Sequence, residues 1–196
     1  AALATDGVIQ ATSLLRIKAG SNIGTSDSRI QTNVTTLSME SRGDQFVTEA
    51  NAVTVAARTS NNGSIDIATS NGTLTVGSST LINGATAIHG ITANGSGTIT
   101  LAGTSSTAGG LVVNAGTAVT SDTGKITLTG KSIGVDGTGL NIGYAGRITS
   151  NADIEVTGTT TANNRVTGTY AGVTNAGTVS GKNVLLTATA SFVSAT

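Results

Sequence analysis

The chain has 196 residues, with ten basic and ten acidic side chains, zero net charge, 27 Gly, and neither Pro nor Cys. A neutral chain with only 10% charged residues has no basic stripe to neutralise phosphates, which argues against nucleic acid as a partner and leaves no polybasic membrane patch. Disorder is excluded as well: disordered chains are rich in Pro, Glu and Lys, whereas this one is rich in Val, Ile and Thr, with 37 Thr.

Aromatic residues make up 2% of the chain, so the core must be built from Val, Ile, Leu and Ala. Small aliphatic side chains bury less area per residue than aromatic ones, and conventional globular packing of them is weakly stabilised. A solenoid compensates by stacking like residues in rows, each repeat burying its apolar face against its neighbours. No stretch approaches about 18 consecutive apolar residues, so no transmembrane helix is expected. The sequence opens with Ala1-Ala2-Leu3, without an initiator Met or a charged n-region, which suggests a processed product or a window of a longer polypeptide. The lack of Cys fits a secreted or surface protein that is stabilised without disulfides.

In chain order, residues 14–25 read as a strand ending in a Gly-rich turn, residues 30–40 alternate well, and residues 52–57 close a less regular first third. Then a Gly-led block of alternating aliphatic and polar residues recurs. It stands at Gly63-Ser64-Ile65-Asp66-Ile67, Gly72-Thr73-Leu74-Thr75-Val76, Gly97-Thr98-Ile99-Thr100-Leu101, Gly124-Lys125-Ile126-Thr127-Leu128 and Gly146-Arg147-Ile148-Thr149, with Gly177-Thr178-Val179 as a weaker copy. Period-2 alternation places Leu74, Val76, Ile99, Leu101, Ile126 and Leu128 inward and Thr73, Thr75, Thr98, Thr100, Thr127 and Thr129 outward. The Gly-to-Gly intervals from Gly72 onward are 25, 27, 22 and 31 residues, long enough for a coil of three short strands. Further strands are expected at Thr80-Leu81-Ile82 and at Ala87-Ile88-His89-Gly90-Ile91. Turns are expected at Asn71-Gly72, Asn83-Gly84, Asn94-Gly95 and Asp136-Gly137.

Asn-Gly pairs between alternating residues also signal antiparallel hairpins, so a meandering sandwich competes with a parallel coil. A sandwich gives strand spacings of about 8 to 12 residues and no longer register, whereas a coil explains the return of one block every 20 to 30 residues. The absence of Pro agrees, because in a stacked parallel sheet nearly every backbone N–H is needed in a ladder. The expected fold is therefore all-β: a parallel β-helix of about eight coils, on the order of 40 Å long at the usual strand spacing. Residues 1–196 are read as one such segment.

Residues 19–41 (AGSNIGTSDSRIQTNVTTLSMES), 47–56 (VTEANAVTVA) and 61–76 (NNGSIDIATSNGTLTV) resemble the repeat regions of very large secreted adhesins of the filamentous-haemagglutinin type. Residues 77–196 look like the generic Gly-x-Ile-Thr-Leu coils of that family and of autotransporter passenger domains. The resemblance implies a right-handed parallel β-helix, two-partner secretion through an outer-membrane transporter, and display on a Gram-negative cell surface. It implies no substrate and no active site. The family often has Pro where Arg29 stands here, and the chain lacks the family's N-terminal secretion module, so an interior repeat fragment is expected.

Several residues carry potential chemistry. His89 is the only His and there is no Cys, so a Ser-His-Asp site would need His89, and a metal site would lack the usual convergent ligands. Its neighbours Ile88, Gly90 and Ile91 place it on a strand with its ring opposite the aliphatics. Polysaccharide-cutting β-helices gather Asp with aromatics in a groove. Here Asp66, Asp122, Asp136 and Asp153 are scattered, and Tyr144, Tyr170, Phe46 and Phe192 are the only aromatics. The Gly-Gly-x-Gly-x-Asp calcium repeat is missing. Thr-x-Thr pairs at 73/75, 98/100, 127/129, 157/159, 167/169 and 187/189 raise an ice-binding array, although uneven coil lengths work against its register, and Thr favours exposed strand positions anyway.

Arg42-Gly43-Asp44 is the integrin-recognition tripeptide, in a loop expected to protrude between two strands. A solvated turn is its plain structural reading. The expected function is a non-enzymatic structural segment of a secreted bacterial surface adhesin or extracellular filament, without cofactor, metal or catalytic residues. Arg42, Gly43 and Asp44 form its candidate cell-binding loop. Its expected partners are neighbouring coils or copies end to end, a receptor or glycan on a host or neighbouring cell, and the export transporter. A carbohydrate-binding or carbohydrate-active β-helix is the alternative; it requires Asp side chains from adjacent coils to converge with Tyr144 or Tyr170.

Overall fold

The computed structural model describes residues 7–80, 87–133, 137–163 and 171–193. Leu81, Ile82, the Asn83-Gly84 turn, Asp136, the Thr167/Thr169 pair and Tyr170 lie outside these residues. The described chain has strands, turns and bends and no helix. Its strands wind through eight coils. The first is β1 (Val8–Ala19), the second β2 (Ile30–Ser41), and the third β3 (Gln45–Glu49) with β4 (Val53–Thr59). The fourth holds β5 (Ile65–Thr69), β6 (Leu74–Val76), β7 (Ser78–Thr80) and β8 (Ala87–Ala93). The fifth holds β9 (Ile99–Ser105), β10 (Leu111–Val113) and β11 (Ala118–Ser121); the sixth β12 (Ile126–Ile133), β13 (Thr138–Ile142) and β14 (Arg147–Thr149). The seventh holds β15 (Ile154–Asn163), β16 (Ala171–Asn175) and β17 (Thr178–Ser180), and the eighth is β18 (Val184–Val193).

These strands stack in three parallel columns, which makes the fold a parallel β-helix. The first column runs β3, β5, β9, β12, β15, β18. The second runs β6, β10, β13, β16, and the third β8, β11, β14, β17. The long strands β1 and β2 each run through all three columns, and β4 spans two: its first half pairs with β6 and its second half with β8.

Aliphatic residues meet along the columns because the register is fixed by which side chains must be inside. Ile65, Ile99, Ile126 and Ile154 form one inward row, and Ile67, Leu101, Leu128 and Val156 the next. Leu74, Leu111 and Leu140 line the second column, and Ile91, Val119 and Ile148 the third. All of these are fully buried in one contiguous core. Each such side chain contributes about 1.5 to 3 kcal/mol on burial. The inward positions expected from the alternation are all core residues, and Thr73, Thr75, Thr98, Thr100, Thr127 and Thr129 all face outward.

The coil period differs from the Gly-to-Gly spacing. Aligned residues Ile65, Ile99, Ile126, Ile154 and Val184 are 34, 27, 28 and 30 residues apart. The Gly-led blocks in fact belong to different corners: Gly63, Gly97 and Gly124 precede the first column, Gly72 the second, and Gly146 and Gly177 the third. At the first-column corner a Cβ on Gly97 or Gly124 would run into the carbonyl oxygen of the glycine one coil below, so the backbones meet too closely for any side chain. Buried hydroxyls fasten the same corner. Ser121 Oγ donates to the Gly97 carbonyl at 2.7 Å and Ser150 Oγ to that of Gly124 at 2.7 Å.

One departure from the parallel coil explains the longest period. Strand β7 pairs antiparallel with β8, and the Gly90 amide donates to the Gly77 carbonyl at 2.8 Å, closing a hairpin inserted between the second and third columns. The expected coil strand through Ala87 and Ile88 is thus one arm of a hairpin. Ile88 lies over Ala56 in a small cluster apart from the core. A second polar feature sits inside the coils. The Glu49 carboxylate is buried, pairs with no cation among the described residues, and is satisfied by Thr32 Oγ1 at 2.6 Å and by the amides of Val34 and Asn51 at 3.1 and 3.2 Å.

Candidate functional site

The Arg42-Gly43-Asp44 tripeptide fills the corner between β2, which ends at Ser41, and β3, which begins at Gln45. Three residues suffice to turn there, and the neighbouring coils hold the turn from both sides. The Gly43 amide donates to the Ser21 carbonyl at 3.1 Å, and the Asp44 amide to Asn22 Oδ1 at 3.0 Å. Asp44 Oδ1 accepts the Ser64 amide at 2.7 Å. The loop therefore does not protrude. Arg42 is exposed, whereas Gly43 and Asp44 are half-buried, because a corner this short is stitched to the coils above and below it.

The bond from Asp44 is one rung of a ladder that sequence reasoning missed. Ser64 Oγ accepts the Thr98 amide at 3.1 Å, Asn62 Oδ1 that of Ser96 at 3.1 Å, and Asp122 Oδ2 that of Gly95 at 2.6 Å. Asn183 Nδ2 donates to Asp153 Oδ1 at 2.7 Å. In the first column Asp66 pairs with Arg29 at 3.0 Å, and Arg29 also donates to the Val47 carbonyl at 2.7 Å and to Thr48 Oγ1 at 2.9 Å. Asp44, Asp66, Asp122 and Asp153 are thus each bonded to an amide, an arginine or an asparagine of another coil. Tyr144 stands 80% exposed on the corner between β13 and β14, whereas Asp122 and Asp153 stand on the corner that leads into the first column. They share no groove.

The other candidates are placed as follows. His89 is exposed on β8 with Ile88 buried beside it, and its Nδ1 lies 3.0 Å from Ser78 Oγ across the hairpin. No group of three or more His, Asp or Glu among the described residues is placed to hold a metal. The outward Thr residues do not form an unbroken array. Thr100 aligns with Asp66 and Thr127 with Glu155, while Thr129 aligns with Ala102 and Thr159 with Lys131.

Register brings together three charged residues that lie far apart in the sequence. Lys18, Glu40 and Arg58 occupy one outward row on the first three coils. Glu40 Oε1 accepts Lys18 Nζ at 3.2 Å, and Oε2 accepts Arg58 Nε and Nη2 at 3.2 and 2.8 Å. Burial alone would raise the Glu40 pKa, but the hydrogen bonds and positive charges of Arg58 and Lys18 outweigh it and hold the carboxyl below its ordinary range. Beside this row lies an open groove of about 460 Å³, lined by Lys18, Gly20, Glu40, Arg42, Arg58, Ser60 and Asn94 among others. The only signal for this cluster was the coil register, which becomes readable once the inward rows are aligned. Comparison of the chain with protein families, with curated proteins and with solved structures finds no match.

Proposed function

We propose that the chain is a non-enzymatic structural segment of a secreted bacterial surface adhesin or extracellular filament, in which a rigid rod holds adhesive parts away from the cell. The observation that carries this reading is the corner ladder: Asn22, Asp44, Asn62, Ser64 and Asp122 each bind the backbone of a neighbouring coil. Polar groups used in this way hold coils together. The exposed inward rows of β18 support extension of the rod. Val184 and Leu186 continue the inward rows of the first column, yet are 41% and 44% exposed, so a further coil or a second copy would cover them. The sequence resemblance to filamentous-haemagglutinin-type adhesins supplies export through an outer-membrane transporter and display on a Gram-negative surface.

Antibody labelling of intact cells of the producing bacterium tests the localisation. Label on non-permeabilised cells is the expected result, and label only after permeabilisation overturns it. Incubation of the purified chain with a panel of polysaccharides tests the absence of catalysis, and release of reducing ends would overturn the structural reading.

A further inference from the structure

We propose that the groove beside Glu40 is a binding site for a compact ligand carrying two oxyanions, either phosphates or carboxylates. Lys18, Arg42 and Arg58 bring three positive charges to it and Glu40 one negative charge, which leaves two positive charges on a chain whose net charge is zero. A monoanion would neutralise half of that excess, and a dianion all of it.

The cations are positioned in advance. Glu40 pairs with Lys18 on one side and Arg58 on the other, each one coil away, which lowers the side-chain freedom to be lost when a ligand arrives. Arg58 uses Nε and Nη2 on Glu40, and a guanidinium has five N–H donors, so donors are left for a ligand oxygen. Arg42 flanks the groove from the corner and is exposed, while Ser60 and Asn94 add neutral hydrogen-bonding groups. No aromatic residue lines the groove, which disfavours ligands held by stacking and favours those held by charge.

The test is an NMR titration of the whole chain at low ionic strength, with pyrophosphate in one arm and succinate in the other. The expected result is saturable shifts at the amides of Arg42, Ser60 and Asn94 in at least one arm, with a dissociation constant in roughly the millimolar range. Saturation by pyrophosphate alone assigns a phosphate ligand, by succinate alone a dicarboxylate, and by both the shared chemistry. Arg42→Gln should weaken binding by about fivefold or more and leave the melting temperature unchanged. Lys18→Gln is the second variant should the first fail to fold. No shift in either arm, or shifts spread over all Lys and Arg residues, or variants that titrate like the native chain, would overturn the proposal.

Discussion

Asp44 Oδ1 accepts the Ser64 amide at 2.7 Å, while the Asp44 amide donates to Asn22 Oδ1 at 3.0 Å, so one residue ties its own coil to the coils on both sides. The aspartate of the integrin-type tripeptide therefore has a structural task of its own. This task must be separated from any role in cell binding.

Two substitutions separate them. Asp44→Ala removes the acceptor and leaves the half-buried Ser64 amide unpaired, which should cost about 1 to 3 kcal/mol in chemical denaturation. Asp44→Asn keeps an Oδ1 acceptor and should lose less than about 1 kcal/mol. If the tripeptide binds integrin, Asp44→Asn should abolish integrin-dependent attachment while losing less stability than Asp44→Ala. Attachment that survives in Asp44→Asn would leave the corner role alone.

Ile126 lies between Ile99 and Ile154 in a fully buried row. Ile126→Ala should cost about 2 to 5 kcal/mol, because rows above and below keep the cavity from collapsing. Ile126→Asp places an unpaired carboxylate there and should cost more still. An unchanged thermal melt for either variant contradicts the coil stacking.

The inward rows were legible in the sequence because a strand with one buried face must alternate, and Leu74, Ile99, Leu101 and Ile126 obey that rule. The coil period was not legible. Gly72 and Gly97 look like copies of one motif, yet they turn different corners, and any corner that brings backbones together selects Gly. The hairpin escaped notice for a related reason: β8 alternates like a coil strand, and alternation does not say which neighbour a strand pairs with. The Lys18, Glu40 and Arg58 row was hidden because unequal coils place its members 22 and 18 residues apart.

Ala145 has φ of 56°, in the left-handed region that disfavours a Cβ. The equivalent position one coil earlier is Gly116, at φ of 69°. The Gly116 amide donates to the Tyr144 carbonyl at 3.1 Å, so the two corners lie against each other. Ala145→Gly should relieve the strain and raise stability by about 1 kcal/mol, net of the greater freedom of the unfolded chain. A lower melting temperature for this variant would refute the strain.

Glu40 gives a pH dependence with a definite sign. Its folded-state pKa is lowered, so it contributes stability above its ordinary value, and that contribution is lost as pH falls through the lowered one. Glu40→Gln should therefore reduce stability at neutral pH and converge with the native chain in acid. Because Lys18 and Arg58 are 58% and 40% exposed, the difference at neutral pH should be small, on the order of 1 kcal/mol. Denaturation curves of both proteins across acidic and neutral pH check the convergence. Parallel curves would mean that the carboxylate is not coupled to its partners.

Ala56 distinguishes the structure from the alternation most sharply. It points outward from β4, where a strand of a simple coil would tolerate a polar residue, yet it is 1% exposed because Ile88 of the hairpin covers it. Ala56→Lys must displace Ile88 or bury an ammonium group, and lifting the hairpin costs far less than burying the charge. The coil columns do not depend on that contact, since β8 pairs with β4 and β11 through residues 90–93 and the β7 pairing lies outside them. The expected outcome is faster hydrogen exchange at the hairpin amides, with core amides such as those of Leu101 and Leu128 as protected as before. Ala68→Lys is the control: this residue also faces outward but has no hairpin over it, and its substitution should stay within about 0.5 kcal/mol of the native stability. If Ala56→Lys behaved like Ala68→Lys in both exchange and stability, the hairpin would not lie on β4.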